Sequence, residues 1–84
     1  MAEKLNISYD RVGDILYLET VKPYARQETK HLGPDILGRI NPRTGAIENI
    51  EILFFAERAG RRKGMSLPVS ARLRRSRRKK ASRR

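Results

Sequence analysis

The chain has 84 residues, a net charge of +11 and no cysteine. This length allows one domain with an extension, and the lack of cysteine excludes disulfides and thiolate metal sites. The longest apolar runs have about five residues, such as Ile52–Ala56. A membrane helix needs roughly 20 and a signal peptide's apolar region roughly 7–15, so we expect a cytoplasmic protein that makes no membrane contact.

The positive charge is confined to one end of the chain. Residues 1–60 contain eight Lys or Arg and all nine Asp or Glu, a net charge of −1, whereas residues 61–84 contain twelve Lys or Arg and no acid. This asymmetry predicts a domain over residues 1–60 and a flexible basic tail over residues 61–84. Because the tail offers little apolar area, we expect the domain to fold without it.

Two strands are predicted in the first part of the domain. Leu5, Ile7 and Tyr9 alternate with polar residues, which is typical of a strand with one buried face. Residues 10–14 contain the turn formers Gly and Asp. Residues 15–18 are apolar on both faces and therefore favour a central strand covered on both sides.

The second part of the domain predicts a hairpin. Residues 25–33 are polar and fit either an edge strand or a loop. Residues 35–40 form a short strand, and residues 41–45 form the clearest turn, with Pro42 setting φ and Gly45 free to take positive φ. Residues 46–53 are the return strand.

A short helix is predicted after the last strand. Residues 54–59 suit a helix, and Gly60 is a common helix stop, with Phe54 or Phe55 packing on the sheet. The fold class is therefore α+β: a small antiparallel sheet of three to four strands in a meander, one short helix and a disordered basic tail. A helix starting near Ser66 is an alternative for the tail, but its like charges repel one another.

Several residues resemble a known family. Residues 7–10 (Ile-Ser-Tyr-Asp), residues 13–18 (Gly-Asp-Ile-Leu-Tyr-Leu), and Gly45 followed by residues 50–53 (Ile-Glu-Ile-Leu) resemble the bacterial "domain of unknown function 2283" family. The resemblance implies a small antiparallel sheet with one helix, no established activity and, for some members, a suspected role as antitoxin to a small toxin. It covers roughly residues 5–58 and does not include the basic tail.

The candidate catalytic groups have structural interpretations that we favour. Asp10 and Asp14 flank a turn, where carboxylates usually accept backbone N–H groups. Glu51 lies in an apolar strand, where a buried carboxylate is a candidate general acid, but pairing with Arg39 across the hairpin is favoured. His31 has no catalytic constellation around it and is expected to be a solvated edge residue.

No cofactor or small-molecule substrate is evident. The stretch from Gly60 to Gly64 lacks the glycine spacing and the Lys-Ser/Thr pair of a phosphate-binding loop. We therefore predict no cofactor, no metal and no enzymatic activity.

Two binding hypotheses remain. The first is a self-associating protein-binding module, antitoxin-like if the resemblance holds, that uses Leu16 and Leu18 as an apolar homo-oligomer contact. The second is sequence-independent nucleic-acid binding through the tail, because dense Lys and Arg displace counterions from phosphates. Its candidate polyanion-binding residues are Arg61, Arg62, Lys63, Arg72, Arg74, Arg75, Arg77, Arg78, Lys79 and Lys80. The tail has no aromatic residue for base stacking, and a solubilising extension is the alternative.

Overall fold

The computed structural model describes residues 4–62 and 64–76, with side chains for all of these except 61 and 62. These described residues form five strands and one helix, which confirms the α+β class. They are β1 (Asn6–Asp10), β2 (Ile15–Glu19), β3 (Glu28–Gly33), β4 (Ile36–Ile40), β5 (Ile47–Leu53) and α1 (Phe55–Arg62). No helix in these described residues is long and apolar enough to cross a bilayer.

The sheet is antiparallel throughout, with the strand order β1-β2-β5-β4-β3. The predicted three to four strands are close to the five observed, but the strand order is not that of a simple meander. Residues 28–33 form a fifth strand at one edge, and the last strand inserts into the centre of the sheet. The central place of β5 follows from its apolar residues, since Ile52 pairs with Leu16 on one side and Ile36 on the other. At an edge, β5 would leave this side chain uncovered.

One side of the sheet carries the core, and we call it the isoleucine face. The only buried apolar side chains among the described residues are Ile36, Ile40 and Ile52, with exposed fractions of 3%, 7% and 2%. Gly38 lies between the two β4 isoleucines, and a Cβ there would stand 2.8 Å from Leu32 Cδ1. Glycine therefore lets Leu32 pack down onto this face.

The opposite side, which we call the polar face, carries a row formed by Ser8, Tyr17, Glu51 and Leu37 in register across four strands. Asn49 lies two residues before Glu51 on the same strand and is 3% exposed. Its Oδ1 accepts the backbone N–H groups of residues 20 and 21 at 3.0 and 3.3 Å, so this side chain fixes the chain as it leaves β2.

The two predicted turns form as expected. Asn41 Oδ1 accepts the backbone N–H groups of Arg43 and Thr44 at 2.8 and 3.2 Å, and Gly45 has a φ of 79°. In the first turn, Asp10 Oδ1 accepts the N–H groups of residues 12 and 13 at 3.0 and 3.2 Å. Short polar side chains thus set both reversals, as is typical of Asx turns.

Helix α1 does not stop at Gly60 but continues to Arg62, so the predicted end is two residues early. A glycine inside a helix costs only about 1 kcal/mol relative to alanine and does not by itself end it. Phe55 packs on the sheet as expected, with its ring centroid 5.9 Å from that of Tyr9 in an edge-on arrangement. Phe54 is instead half exposed.

Residues 64–76 form neither helix nor strand, so the alternative helix near Ser66 is absent from this described part. Met65, Leu67 and Val69 are half-buried and alternate with exposed neighbours. Pro68 lies close to the end of β3, with its Cγ 3.7 Å from where a Cβ on Gly33 would stand. The expectation that the tail adds almost no apolar area is therefore wrong for residues 65–69, which we call the arm.

We expect truncation to separate the arm from the basic end of the chain. A chain ending at Gly60 loses the last residues of α1 and the arm, whose three half-buried side chains are worth about 1–3 kcal/mol. Its unfolding midpoint should fall by roughly 5–15 °C, whereas a chain ending at Ser70 should stay within a few degrees of the full chain. Thermal unfolding followed by circular dichroism measures both. Equal midpoints for the two truncated chains would place the domain boundary at residue 60, as the charge distribution predicts.

Candidate functional site

Asp14, one of the candidate acids, ties the first turn to the helix. Its Oδ1 accepts the Tyr9 hydroxyl at 2.6 Å and the Ala56 N–H at 2.8 Å, and its backbone carbonyl accepts the Phe55 N–H at 3.0 Å. Phe54, directly before the helix, has a φ of 54° and no side-chain acceptor. The helix N-terminus is therefore capped from a distant turn instead of by its own preceding residue.

These contacts perturb both titratable partners. The hydrogen bond with Asp14 raises the pKa of Tyr9, and the same bond, with the N–H groups of Ala56 and Glu57, lowers the pKa of Asp14. Each shift has a structural cause, because the carboxylate is held ionised as a cap and a hydroxyl acceptor. Asp10 accepts N–H groups within the first turn, as predicted, whereas Asp14 accepts the N–H group of Ala56 in the helix. The residues that the structure describes contain no group of three or more potential metal ligands.

Glu48 organises a second polar cluster that the sequence analysis missed. Its Oε1 accepts the Tyr24 hydroxyl at 2.7 Å and Gln27 Nε2 at 3.0 Å, and its Oε2 accepts Asn41 Nδ2 at 3.0 Å. These bonds, the Tyr24 hydroxyl first, lower the pKa of Glu48, and the Tyr24 pKa is raised in return. Tyr24 and Gln27 lie in the β2–β3 connection and Asn41 lies after β4, so no local spacing in the sequence indicates the cluster. It holds the β2–β3 connection against β5.

Glu51 forms the ion pair with Arg39 that the hairpin predicts. Its Oε2 accepts Arg39 Nη2 at 2.7 Å and Nε at 3.0 Å, while Nη1 donates to Thr29 at 2.8 Å. The pair lies on the polar face, where Glu51 is only half-buried. His31 is exposed on edge strand β3 opposite Leu37, which confirms the solvated edge histidine.

Exposed apolar side chains line β1 on the isoleucine face. Leu5, Ile7 and Tyr9 have exposed fractions of 49%, 63% and 41%, and we call them the β1 row. The prediction that they form a buried face is wrong because β1 is an edge strand and the short helix reaches only Tyr9. Leu18 and Leu16, the predicted self-association residues, lie beside this row opposite Ile7 and Tyr9 and are half-buried.

The basic residues are spread along the chain after α1. Arg72, Arg74 and Arg75 are exposed in a stretch without regular structure. The backbones of Arg61 and Arg62 end α1. Five further predicted residues lie outside the described residues: Lys63, Arg77, Arg78, Lys79 and Lys80. The structure thus brings no compact basic site together from the residues it describes.

Comparison with known proteins identified no relative. No family model matches the chain, and no similar protein was found among curated proteins or solved structures. The resemblance to the domain of unknown function 2283 family therefore stays a prediction. Function is inferred from the exposed β1 row and from the basic residues after α1.

We expect Glu48 to make the stability of the fold depend on pH in the acidic range. Its pKa is lowered in the folded state, so its stabilising effect is complete above the unfolded value of about 4.3 and is lost as the pH falls through the lower folded value. Glu48→Gln should therefore flatten the decrease in unfolding midpoint below about pH 4.5. Thermal unfolding at a series of pH values measures this.

The matched control for Glu48 is Glu28→Gln. This change removes an exposed carboxylate on edge strand β3 and should leave the steepness of the acid decrease unchanged. Equal flattening by the two variants would contradict a specific role for the Glu48 cluster.

Proposed function

We propose that this chain is a small, self-associating protein-binding module, not an enzyme. Its contact surface is the apolar end of the isoleucine face, where the β1 row lies beside Leu16 and Leu18. The observation that carries the proposal is the exposure of Leu5, Ile7 and Tyr9 side by side along one edge strand. Contiguous exposed apolar side chains typically mark contacts with other proteins. An antitoxin-like module, which the family resemblance implies, is one protein of this kind.

The contacts of the acidic side chains support binding over catalysis. Asp10 and Asp14 accept backbone N–H groups, Glu48 accepts three side-chain donors, and Glu51 is paired with Arg39. A general acid or base must instead exchange its proton with a substrate in reach of its own oxygen atoms. These four carboxylates hold turns, strands and a helix end.

We expect the full chain to sediment as a dimer or larger species at micromolar concentration. Ile7→Asn should raise the dissociation constant roughly tenfold or more, because burying an isoleucine side chain is worth about 1.5–3 kcal/mol. Val12→Asn is the matched control, since Val12 is a branched apolar residue that is 99% exposed in the β1–β2 turn, away from the β1 row. Sedimentation of the three proteins over a concentration series measures the effect.

Two results would contradict the proposal. One is a monomer throughout the micromolar range, and the other is equal weakening of association by Ile7→Asn and Val12→Asn. The second result would indicate association through general apolar exposure instead of the β1 row.

The charge of residues 61–84 favours a second function, sequence-independent binding of nucleic acid. This segment holds twelve Lys or Arg and no acid, and Arg72, Arg74 and Arg75 are exposed. Extended basic chain can follow a phosphate backbone without reading the bases. The proposed binding residues are the ten basic side chains predicted from the sequence.

We expect duplex DNA binding to depend steeply on salt. If about six cations meet phosphates, the logarithmic slope should be near −5, and affinity should fall roughly a thousandfold between 50 and 200 mM salt. Replacing Arg74, Arg75, Arg77 and Arg78 together with Ala should weaken binding to all sequences. Titration of labelled duplex DNA at several salt concentrations measures both effects.

The matched control replaces the same four arginines with Lys. It preserves the charge, so binding should stay close to that of the natural chain if contact is electrostatic. Loss of binding in the Lys variant would point to recognition that needs the guanidinium group. An absence of binding at 50 mM salt would leave these residues a solubilising or protein-contacting extension.

A further inference from the structure

The two edges of the sheet differ in how they meet solvent. Edge strand β3 carries exposed Glu28 and Lys30, and its pairing with β4 shifts register between His31 and Gly33. Charges and bulges of this kind prevent an edge from pairing with another strand. Edge strand β1 pairs with β2 without a register shift from Asn6 to Asp10 and contains no proline. Its outer backbone groups therefore remain open to a further strand.

The sequence of β1 and its two preceding residues is complementary to itself. An antiparallel pair centred on Ile7 places residue 5 opposite residue 9, residue 6 opposite residue 8 and residue 4 opposite residue 10. These pairs are Leu5 with Tyr9, Asn6 with Ser8 and Lys4 with Asp10. Apolar side chains thus meet on the isoleucine face, and polar and oppositely charged ones meet on the polar face. Each pair occurs twice about a two-fold axis.

Other registers lose this match. Centring the pair on Asn6 places Lys4 opposite Ser8, and centring it on Ser8 places Asn6 opposite Asp10, so neither register joins the two charges. Sliding one strand by a single residue, so that residue 6 lies opposite residue 7, places apolar side chains opposite polar ones, because strand side chains alternate between the faces. Only the register centred on Ile7 joins the apolar rows and the charges at once.

We propose that β1 pairs with β1 of a second copy of this chain, antiparallel and centred on Ile7. This deepens the proposed function and rests on it, because it names the partner of the β1 row. The two five-stranded sheets become one continuous sheet, and the two β1 rows form one apolar strip across the join. Main-chain hydrogen bonds supply affinity while the side-chain pairs select the register.

Cysteine cross-linking tests the register in the full chain, which has no cysteine of its own. At the two-fold axis the two residues 7 have Cβ atoms roughly 4.5–5.5 Å apart, near the range for a disulfide. Ile7→Cys should therefore form a covalent dimer under mild oxidation. Leu18→Cys, opposite Ile7 on β2, is separated from its copy by three strand spacings, roughly 14 Å, and should not. Val12→Cys, in the exposed turn, measures random collision.

A charge reversal tests the same register without an added thiol. Lys4→Asp places two like-charged pairs across the join and should raise the dissociation constant roughly threefold to thirtyfold. Adding Asp10→Asn should restore part of the affinity, because asparagine removes the charge but keeps an oxygen acceptor for the turn. Lys22→Asp, an exposed lysine after β2, is the control for a change in net charge.

The outcomes separate this inference from the proposed function. Preferential cross-linking of Ile7→Cys, together with weakening by Lys4→Asp and not by Lys22→Asp, supports the β1 pair. Association by sedimentation with preferential cross-linking at Leu18→Cys, or equal cross-linking at all three positions, overturns the β1 pair and leaves self-association standing. A chain that sediments as a monomer overturns both the β1 pair and self-association. The open edge of β1 is then available to a strand from a different protein.

Discussion

The structure depends on one constraint: an eight-residue helix is too small to cover a five-stranded sheet. A sheet of this width has two large faces. Three isoleucines are buried on one of them, while every residue of β2 is half-buried. A small domain of this kind is marginal on its own. Part of its remaining apolar surface lies along β1, where Ile7 is 63% exposed.

Polar links complement the small core. Asp14 joins β1, the first turn and the start of α1, and its contact with Ala56 fixes where the helix lies. Glu48 joins the β2–β3 connection to the central strand, and Asn49 holds the same connection through two backbone N–H groups. Each link connects segments far apart in the chain.

The two proposed contacts use different physics and different parts of the molecule. The β1 row is apolar and belongs to a rigid strand, so its contacts should tolerate salt. The basic residues follow the helix and the arm, and their contacts weaken as salt screens them. In a two-fold pair through β1, each copy would keep its own basic segment. Such a pair presents two positively charged segments to one polyanion, which increases effective concentration without any new contact.

Local chemistry was enough to predict much of this fold from sequence. The alternation of Leu5, Ile7 and Tyr9 predicted a strand, and the Asn-Pro-Arg-Thr-Gly run predicted the turn that forms. The pairing of Glu51 with Arg39 was also predictable, since the hairpin makes the two residues diagonal neighbours on adjacent strands, with Arg39 directly opposite Asn49. These features depend on neighbours in the chain or across one turn.

Tertiary structure decided the rest, because it depends on which strands become neighbours. The place of β5 in the centre, the cap that Asp14 gives to a helix 41 residues later and the Glu48 cluster all join distant segments that no local pattern relates. The same holds for exposure: alternation in β1 showed that one face is apolar but not whether anything covers it. The strand order and the short length of α1 decide which apolar side chains are covered. They leave the β1 row at an open edge of the sheet.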